Sequence, residues 1–243
     1  MVQRPFLVLM SACVILGLTG CQAMRRPASS YLIQGNEYFK RGDYPQAERE
    51  YREALLSEPN SPTAKNNLGV ILNEQGRLDE AKQVLTEAIA LDPKNSIAHY
   101  VLSEVLSKKS QFDDAFKEAK LATEYDASEP RAFCALAEAA LGKNDIVTAI
   151  DSYSAACEID NTNDVTRHKL AMVLGLDGQI DAQIEEERAA IEIEPNNIDA
   201  RIGLATALNK KGQKDEAVKE LKVVLEKHPD NKEAQTLLAS LKK

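Results

Sequence analysis

Over 243 residues the chain carries 30 basic and 38 acidic side chains, a formal net charge of −8. A surface that acidic repels phosphate backbones and argues against a nucleic-acid partner. A hydrophobic fraction of 44% is too high for disorder, and with no Trp and 5% aromatics the core has to be built mainly from Ala and Leu, which suits packed helices over sheets.

In chain order, Arg4 gives a basic start, and Phe6 to Leu18 is an apolar run broken only by Ser11 and Gly17. The run is shorter than the roughly 20 residues that span a bilayer and reads as the apolar region of a signal peptide covering residues 1–20. It ends in Leu18-Thr19-Gly20-Cys21, which resembles the bacterial lipobox. That resemblance implies cleavage before Cys21, a diacylglycerol on its sulfur and an acyl group, such as palmitate, on its new amino group. Two or three acyl chains, at ~0.8 kcal/mol per buried CH₂, anchor far more stably than one. Gln22 stands where lipoproteins retained in the inner membrane often carry Asp. The resemblance therefore implies a lipid-anchored protein of the bacterial cell envelope, at the outer membrane and facing the periplasm. Residues 21–29 read as lipidated cysteine and tether, with Arg25 and Arg26 either near anionic head groups or simply keeping the linker soluble.

From residue 28 small side chains recur on a 34-residue grid without insertions. One series is Ala47, Ala81, Ala115, Ala149 and Ala217, broken by Gln183; a second is Ala54, Ala88, Ala122, Ala156 and Ala190. Leu68, Leu102, Leu136, Leu170 and Leu204 run between them, and Pro59, Pro93, Pro195 and Pro229 close four units. Gly42, Gly76, Ser110, Asn144, Gly178 and Gly212 predict a break in the middle of each unit, since Gly and Asn tolerate the left-handed conformation at which helices stop.

This pattern resembles the tetratricopeptide repeat, carried most fully by Asn67-Leu68-Gly69, Leu72, Ala81, Leu85, Ala88 and Pro93. The resemblance implies an all-α fold, a right-handed α-solenoid of six helix-turn-helix repeats (28–61, 62–95, 96–129, 130–163, 164–197 and 198–231) with a capping helix over 232–243. The family's Trp position holds Tyr31, Lys65, His99, Phe133, Arg167 and Arg201. In the fifth repeat Gln183 and Glu187 replace an Ala and an aromatic, so that repeat is expected to pack most loosely. In the cap, Ala234, Leu237, Leu238 and Leu241 share one face.

The sequence carries no motif for a catalytic site, cofactor, metal or small-molecule substrate. Asp and Glu read as a solvated helix face. Cys134 and Cys157 read as small packed side chains, with a disulfide as the alternative. Cys134 and His168 lie one repeat apart, but a Cys–His nucleophile there lacks an oxyanion hole and an orienting group. The family binds protein partners along a concave face lined by the first helix of each repeat. Carried over, the groove comprises Leu32, Asn36, Phe39, Asn66, Asn67, Val70, Asn73, Tyr100, Glu104, Cys134, Glu138, His168, Met172, Ile202 and Asn209. Such a surface suits an extended peptide or a partner helix. Asn36 and Asn67 match part of the family's carboxylate clamp, but Leu32, Ile97 and Val101 stand where its cations belong, which disfavours that ligand. The resulting expectation is a membrane-anchored interaction scaffold for envelope assembly or maintenance. Pilotins, lipoproteins of type IV pilus and secretin assembly that also join a lipobox to six such repeats, are the alternative, and an enzyme is the least favoured reading.

Overall fold

A computed structural model describes residues 26–241; the signal segment and Cys21 lie outside them. The described residues form thirteen α-helices in chain order: α1 (Ala28–Lys40), α2 (Tyr44–Ser57), α3 (Pro62–Glu74), α4 (Leu78–Leu91), α5 (Ser96–Lys108), α6 (Phe112–Tyr125), α7 (Pro130–Gly142), α8 (Ile146–Ile159), α9 (Asp164–Leu176), α10 (Ile180–Ile193), α11 (Ile198–Lys210), α12 (Lys214–Lys227) and α13 (Lys232–Leu241). Each of the first twelve packs on its sequence neighbour, which is the architecture of a helical-repeat solenoid.

The helix ends follow from named residues. The side chains of Asp43, Ser61, Asn95, Asp145, Asn163 and Asn197 accept the backbone N–H three residues on, which supplies donors at a helix start with a partner. All six mid-unit breakers adopt positive φ, between 58° at Ser110 and 84° at Gly178. In each, the N–H of the following residue returns to the carbonyl five residues back, as from Asp43 to Tyr38 at 2.9 Å and from Gln111 to Leu106 at 2.8 Å. That is the bond of a Schellman stop.

The recurring alanines form the seam between helices: Ala47, Ala81, Ala115, Ala149 and Ala217 are all buried. Small residues on the odd helices leave room for large ones on the even helices. A Cβ at Gly69 would lie 2.5 Å from Leu85, which is itself fully buried. Gln183 and Glu187 are buried, because Gly175 and Gly203 on the flanking odd helices make space for them. The cost is polar: one side-chain oxygen of each has no hydrogen-bond partner.

One expectation about charge needs correction. Glu48 and Glu50, like Glu187, are buried rather than solvated. Glu48 accepts from Arg77 at 2.6 Å and Gln75 at 2.9 Å, and Glu50 accepts from Arg26 at 2.8 Å. Arg26 also lies over the Tyr31 ring at 4.3 Å. It is thus tied to the first repeat of the solenoid. The charged residues at the Trp position find partners on the even helix of the same repeat: Lys65 with Glu87, His99 with Glu118 at 2.6 Å, Arg167 with Glu186 at 2.9 Å and Arg201 with Glu220 at 2.6 Å.

Leu241 and Ala234 are buried, and Leu237 and Leu238 pack against the same C-terminal core, so α13 covers the end of the stack.

Candidate partner-binding groove

The odd helices touch one another directly, α3 with α5, α5 with α7, α9 with α11 and α11 with α13, whereas even helices make at most marginal mutual contact. Helices that approach closely in one layer and splay in the other build a curved wall, with the odd helices on its inner side. The candidate residues all lie on that layer, but they divide by position. The ninth residue of each repeat is the open one: Asn36 and Met172 are exposed, and Val70, Glu104 and Glu138 half-buried. Asn66, Asn73, Tyr100 and Ile202, at fifth and twelfth positions, are buried. They are covered because the next odd helix packs across them, so these four hold the wall together in place of offering a free surface. Leu32, Phe39, Asn67, Cys134, His168 and Asn209 are half-buried.

The groove's polar groups are joined in a ladder. At the N-terminal end the Tyr51 hydroxyl donates to Asn36 Oδ1 at 2.7 Å, Asn67 donates to the same oxygen at 3.0 Å, and Asn66 donates to Asn67 Oδ1 at 3.3 Å. These asparagines satisfy one another instead of standing ready for a ligand backbone; Asn66 Oδ1 alone is buried without a partner. Farther along, Asn73 donates to Glu104 and accepts from Lys108, both at 2.8 Å, and Lys169 donates to Glu138 at 2.6 Å. Arg131 stands 3.9 Å from Glu104 and stacks on the Tyr100 ring at 4.9 Å. Burial pushes the Glu104 carboxyl above its usual range in spite of Arg131, and pushes the Tyr100 hydroxyl up to about 12.

Cys134 and Cys157 are free thiols. Cys134 Sγ lies 3.7 Å from the Thr166 hydroxyl, and His168 Nδ1 faces Glu187 Oε2 at 2.8 Å. Burial raises the pKa of the Cys134 thiol, the wrong direction for a nucleophile.

Among the clefts on the wall, two hold candidate groove residues. One, of about 270 Å³, is lined by Asn36, Phe39, Val70, Ile97, Tyr100 and Arg131 among others. The other, of about 390 Å³, lies toward the C-terminus around Met172, His168 and Ile202.

Family models described as tetratricopeptide repeat match residues 33–96 and, separately, 72–139 and 186–241, the latter two together more than half of the chain. The chain belongs to the tetratricopeptide-repeat family. No curated protein sequence matches it. Among solved structures the fold is similar to the Cut9–Hcn1 hetero-tetramer of APC/C (TM-score 0.77, 18% identity), covering 89% of this chain and 43% of that one. It thus spans less than half the length of that relative. It is similar along almost its whole length to Pseudomonas aeruginosa pilF (TM-score 0.76, 18% identity, 88% of this chain and 97% of that one). YrrB, a TPR protein with an unusual peptide-binding site, covers less of it (TM-score 0.63, 19% identity, 76% and 96%).

For a tetratricopeptide-repeat wall the sequence reading missed Arg131 and Asp199, exposed at the second position of their repeats, together with Lys108 and Lys169, and it placed exposed Ile97 only at a clamp position and not in the groove. A signal for the ladder was present. Asn36/Asn67, Asn73/Glu104 and Glu138/Lys169 are each 31 residues apart, one repeat less one helical turn. Among the described residues no helix is long and apolar enough to cross a membrane.

Proposed function

We propose that this protein is a membrane-anchored, non-enzymatic scaffold that takes a peptide or helix of a partner protein in its groove, in assembly or maintenance of the cell envelope. One observation carries the reading: polar side chains along the inner wall are paired across repeats, leaving open clefts lined by Phe39 and Val70 at one end and by Met172 at the other. A paired wall holds its shape without a ligand, which lowers the ordering cost of binding. The anchor rests on the Leu18-Thr19-Gly20-Cys21 pattern, with location at the outer membrane following from Gln22. The reading calls for no cofactor, nucleic acid or small-molecule substrate.

Photo-crosslinkers placed in cells at Phe39 and at Met172 should capture the same partner. One at Val147, which is two-thirds exposed on the even-helix layer, should not. Equal capture from Val147 would overturn the groove as the binding face. For the anchor, Cys21→Ser should release the protein from membranes, and retention of that variant would refute lipidation.

A pilotin-like role is the second reading, supported by the near-complete overlap with pilF. It predicts that deletion abolishes type IV pilus function and secretin multimers; normal pili in the deletion strain remove it.

A further inference from the structure

The cleft between α9, α10 and α11 has a wall unlike the rest of the groove. Glu187 is fully buried there, and Gln183 is only 5% exposed. Both line the cleft, and the Oε1 atom of each has no hydrogen-bond partner. Glu187 uses its other oxygen on His168. The two orphan oxygens face the backbones of Gly203 and Gly175, also cleft residues, in the space where a Cβ would collide with them. An unpartnered carboxylate oxygen in a low-dielectric wall creates a strong demand for a donor.

The mouth has the same sign. Exposed Asp199 and Glu233 join Glu187 as three carboxylates, against Lys210 and His168. Beside them Met172 and Leu176 are 53% and 70% exposed, an apolar strip that would cover an alkyl stem. Acceptors at the back, negative charge at the rim and an apolar strip between them complement one side-chain chemistry: a long aliphatic stem ending in a cation.

We propose that this cleft anchors an arginine or lysine side chain of the partner segment, its stem along Met172 and Leu176 and its head group toward Glu187, Gln183 and Asp199. The inference rests on the groove reading above and names the chemistry that the C-terminal half of the groove selects.

The test is a titration of the isotope-labelled full chain, in detergent, with N-acetyl-arginine amide, N-acetyl-lysine amide and uncharged N-acetyl-norleucine amide, following the Gly175 and Gly203 amide resonances. One or both basic amides should shift these resonances saturably, and norleucine amide should not. Glu187→Gln keeps the shape and the acceptor for His168 while removing the charge. It should weaken binding about tenfold or more, as loss of a charge-assisted hydrogen bond does. Asp199→Asn, on the exposed rim where folding is not at stake, should weaken it about two- to threefold, the scale of an exposed charge pair. Equal shifts with norleucine amide, or unchanged affinity in both variants, would overturn the assignment. If crosslinking from Phe39 and Met172 fails while the basic amides still saturate the cleft, the groove reading falls and the cleft's chemistry stands. Intact crosslinking with no saturable shift removes only the present inference.

Discussion

Leu85 and Gly69 form a pair whose energetics can be worked through. Leu85 is fully buried on α4, and a Cβ at Gly69 on α3 would lie 2.5 Å from both Leu85 Cγ and Leu85 Cδ2. Leu85→Ala alone deletes those atoms and leaves a cavity, at a cost of about 2–5 kcal/mol. Gly69→Ala alone gains about 1 kcal/mol of helix propensity but forces overpacking worth about 1–3 kcal/mol, for a net change near zero to moderately destabilising. In the double variant the overpacking vanishes, because the atoms it would strike are gone, while the propensity gain remains. The double variant should therefore be more stable than Leu85→Ala alone, with a coupling energy of about 1–3 kcal/mol. Urea unfolding of the four proteins, compared at constant m-value, measures it. Additivity within about 0.5 kcal/mol would refute the claim that odd-helix glycines exist to receive even-helix side chains.

Three further outcomes follow from other sites. Both ring nitrogens of buried His99 face acceptors, Glu118 Oε2 at 2.6 Å and the Pro93 carbonyl at 3.1 Å, so only the imidazolium satisfies both. Burial works to lower its pKa, but those bonds outweigh it and hold the pKa above the ordinary 6.5. Its stabilising contribution is complete below the unfolded-state value and is lost as pH rises through the higher folded value; thermal melts from pH 6 upward should fall, and less steeply in His99→Gln. Ser110 sits at φ 58° and Gly178 at φ 84°, so Ser110→Gly should stabilise by up to about 1 kcal/mol and Gly178→Ala destabilise by about 1–2 kcal/mol, read from denaturant midpoints. Burial pushes the Cys157 thiol up to about 11, and iodoacetamide at pH 8 should label it only in denaturant.

The breakers and the alanine seam were legible because each is a property of one residue type at one interval. Gly42 stops a helix and Ala81 lets two helices approach whatever surrounds them. The groove was less legible because its exposure depends on a second helix. Tyr100 and Met172 both lie on the first helix of a repeat, yet Tyr100 is covered by the adjacent odd helix and Met172 is left open. Glu187 shows a further limit: the alanine grid predicts a small neighbour for a large residue, but a carboxylate buried against Gly203 cannot be read from periodicity.

The 31-residue spacing of the groove pairs bears on how such a chain changes length. Excising residues 96–129 would bring Glu138 into the register that Glu104 now holds, so Asn73 would meet another glutamate and the wall would close over the cut. Excising 164–197 would instead set Gly203 where Lys169 stood, leaving Glu138 without its cation. Units of this protein are therefore interchangeable at some seams and unique at others, and copying or loss of a unit is tolerated where the new neighbour carries an equivalent side chain.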